Sequence, residues 1–161
     1  MKQIFDLFFS VILLVLFSIP MLLIAIAIRL TSKGPSIYWS DRIGKNNIIF
    51  KMPKFRTMMK ETPNVASHNL RDAESYFSPI GSFLRSTSLD EIPQLFSILK
   101  GDMSLVGPRP ALFNQYDLIA LRSQNGVDKL LPGITGWAQV NGRDELSNPV
   151  SYTHLRAHET V

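Results

Sequence analysis

Two adjacent carboxylates, Asp90 and Glu91, are the side chains in this sequence best suited to chemistry. They lie in Ser88-Leu-Asp-Glu91, whose S-x-x-E spacing predicts a capping box at a helix start. The backbone N–H groups there favour negative charge, so Asp90 would stay ionised, as a nucleophile must, and a phosphate would be drawn to the same point. Acids in a first turn are also common without catalysis, and capping alone explains Glu91.

Arg109 is the cation best placed to meet a phosphate group. It is flanked by Pro108, which fixes its own φ, and by Pro110, which pushes Arg109 towards an extended conformation. A guanidinium on such a rigid segment loses little entropy on binding phosphate, although an ordinary surface turn would show the same pattern. Further candidate phosphate contacts are Lys54, Arg56 and Arg143.

Composition and charge narrow the classes of function. The 161 residues allow one modest domain, and eight of the 17 basic residues fall between positions 29 and 60, against one acid there. Such a block suits anionic lipid headgroups or a phosphorylated substrate, with a solvated positive face as the alternative. Too few aromatic residues are interleaved with it for a nucleic-acid site. The absence of cysteine excludes disulfides and thiolate metal sites, and no Walker loop, dinucleotide fingerprint or HExxH pair is present.

An apolar segment covers residues 7–28, interrupted by Ser10, Ser18 and Pro20. At the helical rise it is about 33 Å long, enough to cross a hydrocarbon core of about 30 Å. Pro20 removes a helical hydrogen bond and clashes with the carbonyl of Leu16, while Ser18 can help satisfy the freed groups. The segment either spans with a kink or breaks, re-enters and returns to the same face. Basic residues at both ends are compatible with two cytoplasmic ends.

The elements that must position the candidate residues follow this segment. Two β-prone runs, 37–40 and 48–55, enclose Gly44, Asn46 and Asn47 and predict a β-hairpin. Helices are predicted over 79–86, after Ser88, and over 111–123. The helix after Ser88 is expected to end at Lys100-Gly101 and to bury Ile92, Leu95, Phe96, Ile98 and Leu99.

The C-terminal segment is expected to be foreign. Val150 to Thr160 matches the translation of a transposon adapter used in DNA sequencing libraries, so residues 149–161 are excluded from fold reasoning. The histidines and acid of this segment, which resemble metal ligands at helical spacing, are excluded with it. A natural C-terminus is the alternative. The native protein is expected to continue beyond residue 148.

Two long motifs closely resemble one known family. They are SLDEIPQLFSILKGDMSLVGPRP at 88–110 and LPGITGWAQVNGR at 131–143. Both resemble the bacterial sugar transferases, which are monotopic polyprenyl-phosphate phosphoglycosyl transferases that initiate polysaccharide or glycoprotein glycan assembly. FRTM at 55–58 and the apolar N-terminus also match, so the resemblance extends from residue 2 to about residue 147. The chain looks like the short form of the family.

The resemblance implies a reaction and roles for the two acids. Asp90 matches the nucleophile that attacks the β-phosphate of a UDP-sugar, releasing UMP and leaving an aspartyl-phosphosugar intermediate. Polyprenyl (undecaprenyl) phosphate then takes the sugar phosphate. Glu91 matches the partner carboxylate that helps to hold Mg²⁺. The implied partners are therefore a UDP-sugar, polyprenyl phosphate and membrane lipids, and not nucleic acid.

The resemblance also implies an α/β, membrane-anchored fold at the cytoplasmic face of the bacterial inner membrane. Residues 1–30 would form a re-entrant helical hairpin that breaks at Ser18 and Pro20, although here Ile19 separates two residues that are often adjacent in the family. Residues 31–148 would form a small interfacial domain of helices with a β-hairpin. Two other functions stay open: a non-catalytic membrane-tethered adaptor of the same pathway, and a membrane-bound metal-dependent pyrophosphate hydrolase.

Overall fold

The computed structural model describes residues 1–59, 62 and 76–140. Its first element is a 30-residue helix, α1 (Lys2–Thr31), which is long and apolar enough to cross a membrane. It ends where the Ser32 N–H and hydroxyl both donate to the Ile28 carbonyl, at 2.9 and 3.0 Å, and the backbone turns extended. The predicted apolar helix is confirmed.

The predicted break at Pro20 does not interrupt α1, which is helical on both sides of the proline. Ser18 donates its hydroxyl hydrogen to the Val15 carbonyl at 2.7 Å, one residue before the carbonyl that Pro20 was expected to free. Packing supports the helix on both sides: Leu13 and Leu14 contact one core cluster, and Met21 and Ile24 contact another. These contacts offset the hydrogen bond that the proline removes.

One face of α1 lies along the rest of the protein. The residues that face inward are spaced three or four apart, the period of a helix, and they include Asp6, Ser10 and Ile28 as fully buried members. The other faces carry exposed leucine, isoleucine and phenylalanine side chains. Since Lys2 donates to the Val106 carbonyl and Ile28 packs near the other end, both ends of α1 contact the same domain.

The predicted β-hairpin is confirmed. Strands β1 (Ile37–Ile43) and β2 (Ile49–Phe55) pair antiparallel, with Ile37 opposite Phe55 and Ile43 opposite Ile49. Asn46 and Asn47 take left-handed conformations in the turn, with φ of 56° and 59°, which asparagine tolerates better than most residues. The sheet has two strands, so β2 can accommodate Pro53 without losing an inner ladder.

The helix predicted after Ser88 is divided into two short pieces. A 3₁₀ segment (Leu89–Gln94) that contains Pro93 precedes α3 (Leu95–Lys100), and α2 (Gly81–Ser86) lies before both. The predicted end is confirmed, because Gly101 takes φ of 84° as a left-handed helix end does. The predicted capping box is wrong: Ser88 is itself left-handed, with φ of 59°, and its side chain makes no capping hydrogen bond.

Burial on α3 also differs from the expectation. Leu95 and Ile98 are buried against Met52 and Met103, but Phe96 and Leu99 are exposed. A six-residue helix that packs along one face can bury only the residues on that face. The prediction counted neighbouring positions that point the other way.

Two short parallel strands, two α-helices and a 3₁₀ helix (Val127–Lys129) make up the last part of the described chain. Strands β3 (Ser104–Val106) and β4 (Gly133–Thr135) have three residues each and were not predicted. Between them lies α4 (Tyr116–Gln124), within the helix predicted over 111–123 apart from its last residue, and α5 (Trp137–Val140) follows β4. The β3–β4 pairing brings the two long sequence motifs together.

Candidate active site

The acids Asp90 and Glu91 are held in the 3₁₀ segment at the centre of the domain. Asp90 is buried, with 7% of its surface exposed, and the Glu91 side chain is 12% exposed. The segment packs mainly against β2. Ser88 before the segment is left-handed, and Pro93 lies inside it. The two carboxylates therefore lie on a short 3₁₀ segment packed against β2, not at the N-terminus of a regular α-helix.

Glu91 joins two cations from different parts of the sequence. Its Oε1 atom lies 2.9 Å from Lys54 Nζ and 3.5 Å from Arg109 Nη1. Lys54 comes from β2, is 16% exposed at its side chain, and donates a hydrogen bond to this oxygen. The geometry is that of a partly buried ion pair with a second cation alongside, which charge-assisted hydrogen bonding strengthens.

Burial raises the pKa of Asp90 above its ordinary value, and the nearby negative charge of Glu91 raises it further. Lys54 and Arg85 act in the opposite direction, as does the hydrogen bond from Asp90's own backbone N–H. The net direction is upward. Reactive sites often contain a carboxyl group whose burial disfavours its charged form, next to cations that stabilise that form.

Burial also lowers the pKa of Lys54, and Arg109 and Arg42 lower it further. Glu91 and Asp90 oppose that change by favouring the ammonium. The pKa values of the buried lysine and the buried aspartate are therefore shifted towards each other.

Arg109 is placed by close contact between the two long motifs. The Gly107 N–H donates to the Thr135 carbonyl at 2.9 Å, and the Gly133 N–H donates to the Pro108 carbonyl at 2.9 Å. A Cβ atom added to Gly133 would collide with the backbone nitrogen of Gly107. Glycine at both positions lets the backbones approach, and this contact sets where the Pro108–Pro110 segment begins.

A family model of bacterial sugar transferases matches residues 1–158. The chain belongs to this family. The match runs into the segment that the sequence analysis expects to be foreign, so the origin of residues 149–161 stays a prediction. Within the described residues, the acids and Arg109 fall inside the motif that first suggested the bacterial sugar transferases.

The names of the relatives of this chain specify different sugars. The chain is 40% identical to an undecaprenyl-phosphate glucose phosphotransferase of Komagataeibacter xylinus, over 90% of this chain and 29% of that protein. It is 39% identical to the uncharacterized sugar transferase EpsL of Bacillus subtilis, over 91% of this chain and 71% of EpsL. A UDP-N-acetylgalactosamine-undecaprenyl-phosphate N-acetylgalactosaminephosphotransferase of Aeromonas hydrophila is 38% identical, over 86% of this chain and 33% of that protein. The chain thus spans about a third of the length of two of these three.

The structure brings some of the predicted site residues together and not others. Asp90, Glu91, Lys54 and Arg109 form one cluster. The guanidinium of Arg56 instead lies against Gly34, where an added Cβ would come 2.6 Å from its Nη1. The predicted phosphate contact Arg143 lies outside the described residues. Ser18 and Pro20 lie inside the continuous α1.

Two cations near the acids were not predicted as site residues. The charge of Arg85 lowers the pKa of Asp90, and the charge of Arg42 lowers the pKa of Lys54. Arg85 precedes Asp90 by five residues, and its guanidinium carbon lies 5.6 Å from the centre of the Phe77 ring. Arg42 belongs to the basic block already visible in the sequence, but its distance of 12 residues from Lys54 hid their proximity. The β1–β2 hairpin places Arg42 opposite Phe50, four residues before Lys54 on β2.

The donor set suits a magnesium ion that is shared with a substrate. Within the described residues no group of three or more histidine, aspartate, glutamate or cysteine side chains could hold a metal. Mg²⁺ keeps several waters and often takes one or two carboxylates together with phosphate oxygens. The adjacent carboxylates of Asp90 and Glu91 fit a site of that kind, and they do not fit a cage made by protein alone.

Proposed function

We propose that this sugar transferase moves a sugar 1-phosphate from a UDP-sugar to polyprenyl phosphate and releases UMP. The observation that carries the proposal is the buried Asp90 beside Glu91, whose Oε1 meets Lys54 at 2.9 Å and Arg109 at 3.5 Å. The names of the relatives support it, because they specify undecaprenyl phosphate with glucose or N-acetylgalactosamine. The particular sugar is left open by this difference between relatives.

Asp90 is the proposed nucleophile. One of its carboxylate oxygens attacks the β-phosphorus of the UDP-sugar, and the bond from that phosphorus to the bridging oxygen breaks. UMP leaves with the bridging oxygen and the electron pair, and the sugar phosphate stays on Asp90 as an acyl phosphate. An oxygen of polyprenyl phosphate then attacks the same phosphorus, which forms polyprenyl-diphosphate-sugar and returns the aspartate carboxylate.

The cations around the acids support this chemistry by charge. Negative charge grows on the leaving phosphate, and a guanidinium or ammonium already in place stabilises it with little reorganisation. Arg109 is the proposed phosphate contact. Lys54 is paired with Glu91, so we propose that it orients that carboxylate, in addition to the phosphate contact predicted from the sequence.

Glu91 is the residue that we propose holds Mg²⁺ together with substrate phosphate oxygens, and the ion when bound would supply further positive charge at the diphosphate. Glu91 is already oriented by its contact with Lys54. Replacement of Glu91 by glutamine should therefore raise the Mg²⁺ concentration needed for half-maximal activity.

The anchor that we propose is monotopic, with both ends of α1 on the cytoplasmic face. The contacts of Lys2 with Val106 and of Ile28 with Phe55 support it, because both ends lie against one domain. A re-entrant path would require α1, which is helical on both sides of Pro20 in this structure, to bend at that proline within the bilayer. Cysteines introduced near Lys2 and Lys33 should both react with an impermeant thiol reagent from the cytoplasmic side. Labelling of the first site from the opposite side alone would contradict this topology.

The test of the reaction is a covalent adduct. Purified protein is mixed with each of a panel of UDP-sugars without polyprenyl phosphate, UMP is measured, and intact mass is recorded. We expect one equivalent of UMP at most and a mass increase of one sugar phosphate, both lost in Asp90→Asn. Asp117→Asn, an equivalent change at an exposed acid of α4, should keep both.

The same experiment distinguishes the two alternative functions, a pyrophosphate hydrolase and a non-catalytic adaptor. Continuous UMP release in the absence of polyprenyl phosphate would indicate a hydrolase, because water would then accept the group. A protein that folds and binds membranes but never releases UMP would indicate an adaptor. An adduct that persists in Asp90→Asn would move the nucleophile to another side chain.

A further inference from the structure

The backbone carbonyls of four successive residues around Arg109 are each held by a donor from another segment. The acceptors are residues 108–111. The donors are the Gly133 N–H to Pro108 at 2.9 Å, Arg122 Nη1 to Arg109 at 2.7 Å, Arg42 Nη1 to Pro110 at 3.1 Å, and the Ile43 N–H to Ala111 at 2.9 Å. Three different elements, β4, α4 and β1, therefore donate hydrogen bonds to one short stretch of chain.

The two central carbonyls are held by side chains. Pro108 and Pro110 have no N–H groups, so the segment has few means of stabilising itself with its own backbone. Arg122 and Arg42 supply charge-assisted hydrogen bonds instead, both in partly buried positions. Removing either guanidinium would leave a carbonyl of this segment without that donor.

The held segment presents Arg109 to the acids. Arg122 holds the carbonyl of Arg109, and the guanidinium of Arg109 lies 3.5 Å from Glu91 Oε1. Arg122 itself lines a small cavity with Pro108, Ala111 and Pro132, between α4 and this segment. Arg122 therefore contacts the backbone of Arg109, while Arg109 contacts the site.

We propose that Arg122, assisted by Arg42, is a positioning residue that fixes Arg109 for phosphate binding. The inference rests on the proposed function for the identity of the phosphate. It assigns a role to a residue of α4, which lies outside both long sequence motifs. Arg42 also acts electrostatically on Lys54, so Arg122 gives the cleaner test.

The test is a double-mutant cycle with Arg122→Met and Arg109→Met, read by the affinity for inorganic pyrophosphate at constant Mg²⁺. Arg122→Met keeps much of the side-chain stem and removes the donors. In the wild-type background it should weaken binding about 10–100-fold, the usual cost of a misplaced binding group. In the Arg109→Met background the same change should cost less than about threefold, because residues that act as one unit are not additive.

Stability and rescue separate positioning from a general structural role. The unfolding midpoint should fall by the same amount when Arg122 is changed in either background. Arg122→Lys, which keeps one charged donor, should recover part of the affinity, and it serves in the same cycle if the methionine variant does not fold. Asn125→Ala removes another side chain that donates to a backbone carbonyl, that of Leu121 at 2.7 Å, and should leave pyrophosphate affinity unchanged.

Two results would overturn the proposal. An equal loss of affinity in both backgrounds would mean that Arg122 acts independently of Arg109. A wild-type protein that binds no pyrophosphate would mean that Arg109 meets no phosphate. Pyrophosphate binding needs no turnover, so a protein that binds it and completes the cycle as expected but releases no UMP would contradict the proposed function alone.

Discussion

Asp6 and Asp90 are almost equally buried, at 5% and 7% exposure, but their surroundings differ. The Asp6 carboxylate accepts hydrogen bonds from Ser104 Oγ at 2.7 Å and from the Leu105 N–H at 3.4 Å. Lys2 lies one helical turn earlier, with its Nζ 4.0 Å from Asp6. Within residues 1–59, 62 and 76–140, Asp90 forms no ion pair inside that distance, and the nearby cations Lys54 and Arg109 meet Glu91 instead.

The difference separates an acid that fastens two elements of the fold from the acid that we propose as the nucleophile. A buried charge that is fully hydrogen-bonded can fasten two elements, and Asp6 fastens α1 to β3. A buried charge with fewer partners costs stability, and natural proteins keep such groups mainly at functional sites. The raised pKa of Asp90, caused by burial, fits the second kind.

The largest expected effect is on turnover. Asp90→Asn keeps the size of the side chain but removes the nucleophilic charge, so UMP release should fall by about 10³-fold or more. The unfolding midpoint should stay the same or rise, because a desolvated carboxylate has been replaced by a neutral amide. Steady-state UMP assays and thermal unfolding measure the two quantities. A clear fall in the unfolding midpoint together with the loss of UMP release would mean that Asp90, like Asp6, holds the fold.

Loss of the Lys54 ammonium should be the next largest effect. Lys54→Met removes the cation that lies 2.9 Å from the buried Glu91 carboxylate and leaves Arg109 at 3.5 Å. Unfolding free energy should fall by about 3 kcal/mol, near the low end for breaking a buried pair. Adding Glu91→Gln should recover most of the stability and none of the activity. A double variant no more stable than Lys54→Met would show that the pair does not determine this loss.

Asp6→Ala should destabilise the protein more mildly, by about 1–3 kcal/mol, because it removes the acceptor of the Leu105 N–H and the closer of the two acceptors of the Ser104 hydroxyl, whose other acceptor is the Val106 carbonyl. The folded fraction should still release UMP at nearly the normal rate. Asp41→Ala is the matched control: its ion pair with Lys51 is exposed and should contribute less than about 1 kcal/mol. A variant of Asp6 that is fully stable but inactive would reverse the roles of the two aspartates.

The smallest expected effect is a dependence of stability on pH. Burial raises the folded-state pKa of Asp90 above 3.8, so the folded protein binds this proton more tightly than the unfolded chain. The resulting stabilisation is fully present below pH 3.8 and is lost as the pH rises through the folded pKa. The stability of wild type minus that of Asp90→Asn should therefore fall with rising pH across this window. A difference that rises instead would indicate that the cations outweigh burial.

Local patterns in the sequence predicted a substantial part of this structure. The apolar run gave α1, Asn46 and Asn47 marked the hairpin turn, and Gly101 marked the end of α3. Each of these signals depends on residues close together in the chain. The acids and Arg109 were found in the same way, because one motif contains all three.

The features that were missed depend on contacts between distant residues. Strands β3 and β4 have three residues each, too few to show a period, and their pairing joins positions such as Ser104 and Gly133. The contact of Lys54 with Glu91 spans 37 residues. The capping box failed because tertiary packing places Ser88 in a left-handed conformation, where its hydroxyl does not cap the segment.

The attachment of Asp6 to Ser104 has a consequence for the order of events during synthesis. The two residues are 98 positions apart, and at about 5–20 residues per second the ribosome needs about 5–20 seconds to reach the second one. For most of that interval the residues of α1 have been synthesised, but the serine partner of the Asp6 carboxylate has not. Lys2, one turn before Asp6, is made with it, so the first neutralising charge arrives together with the acid and remains beside it after Ser104 has joined.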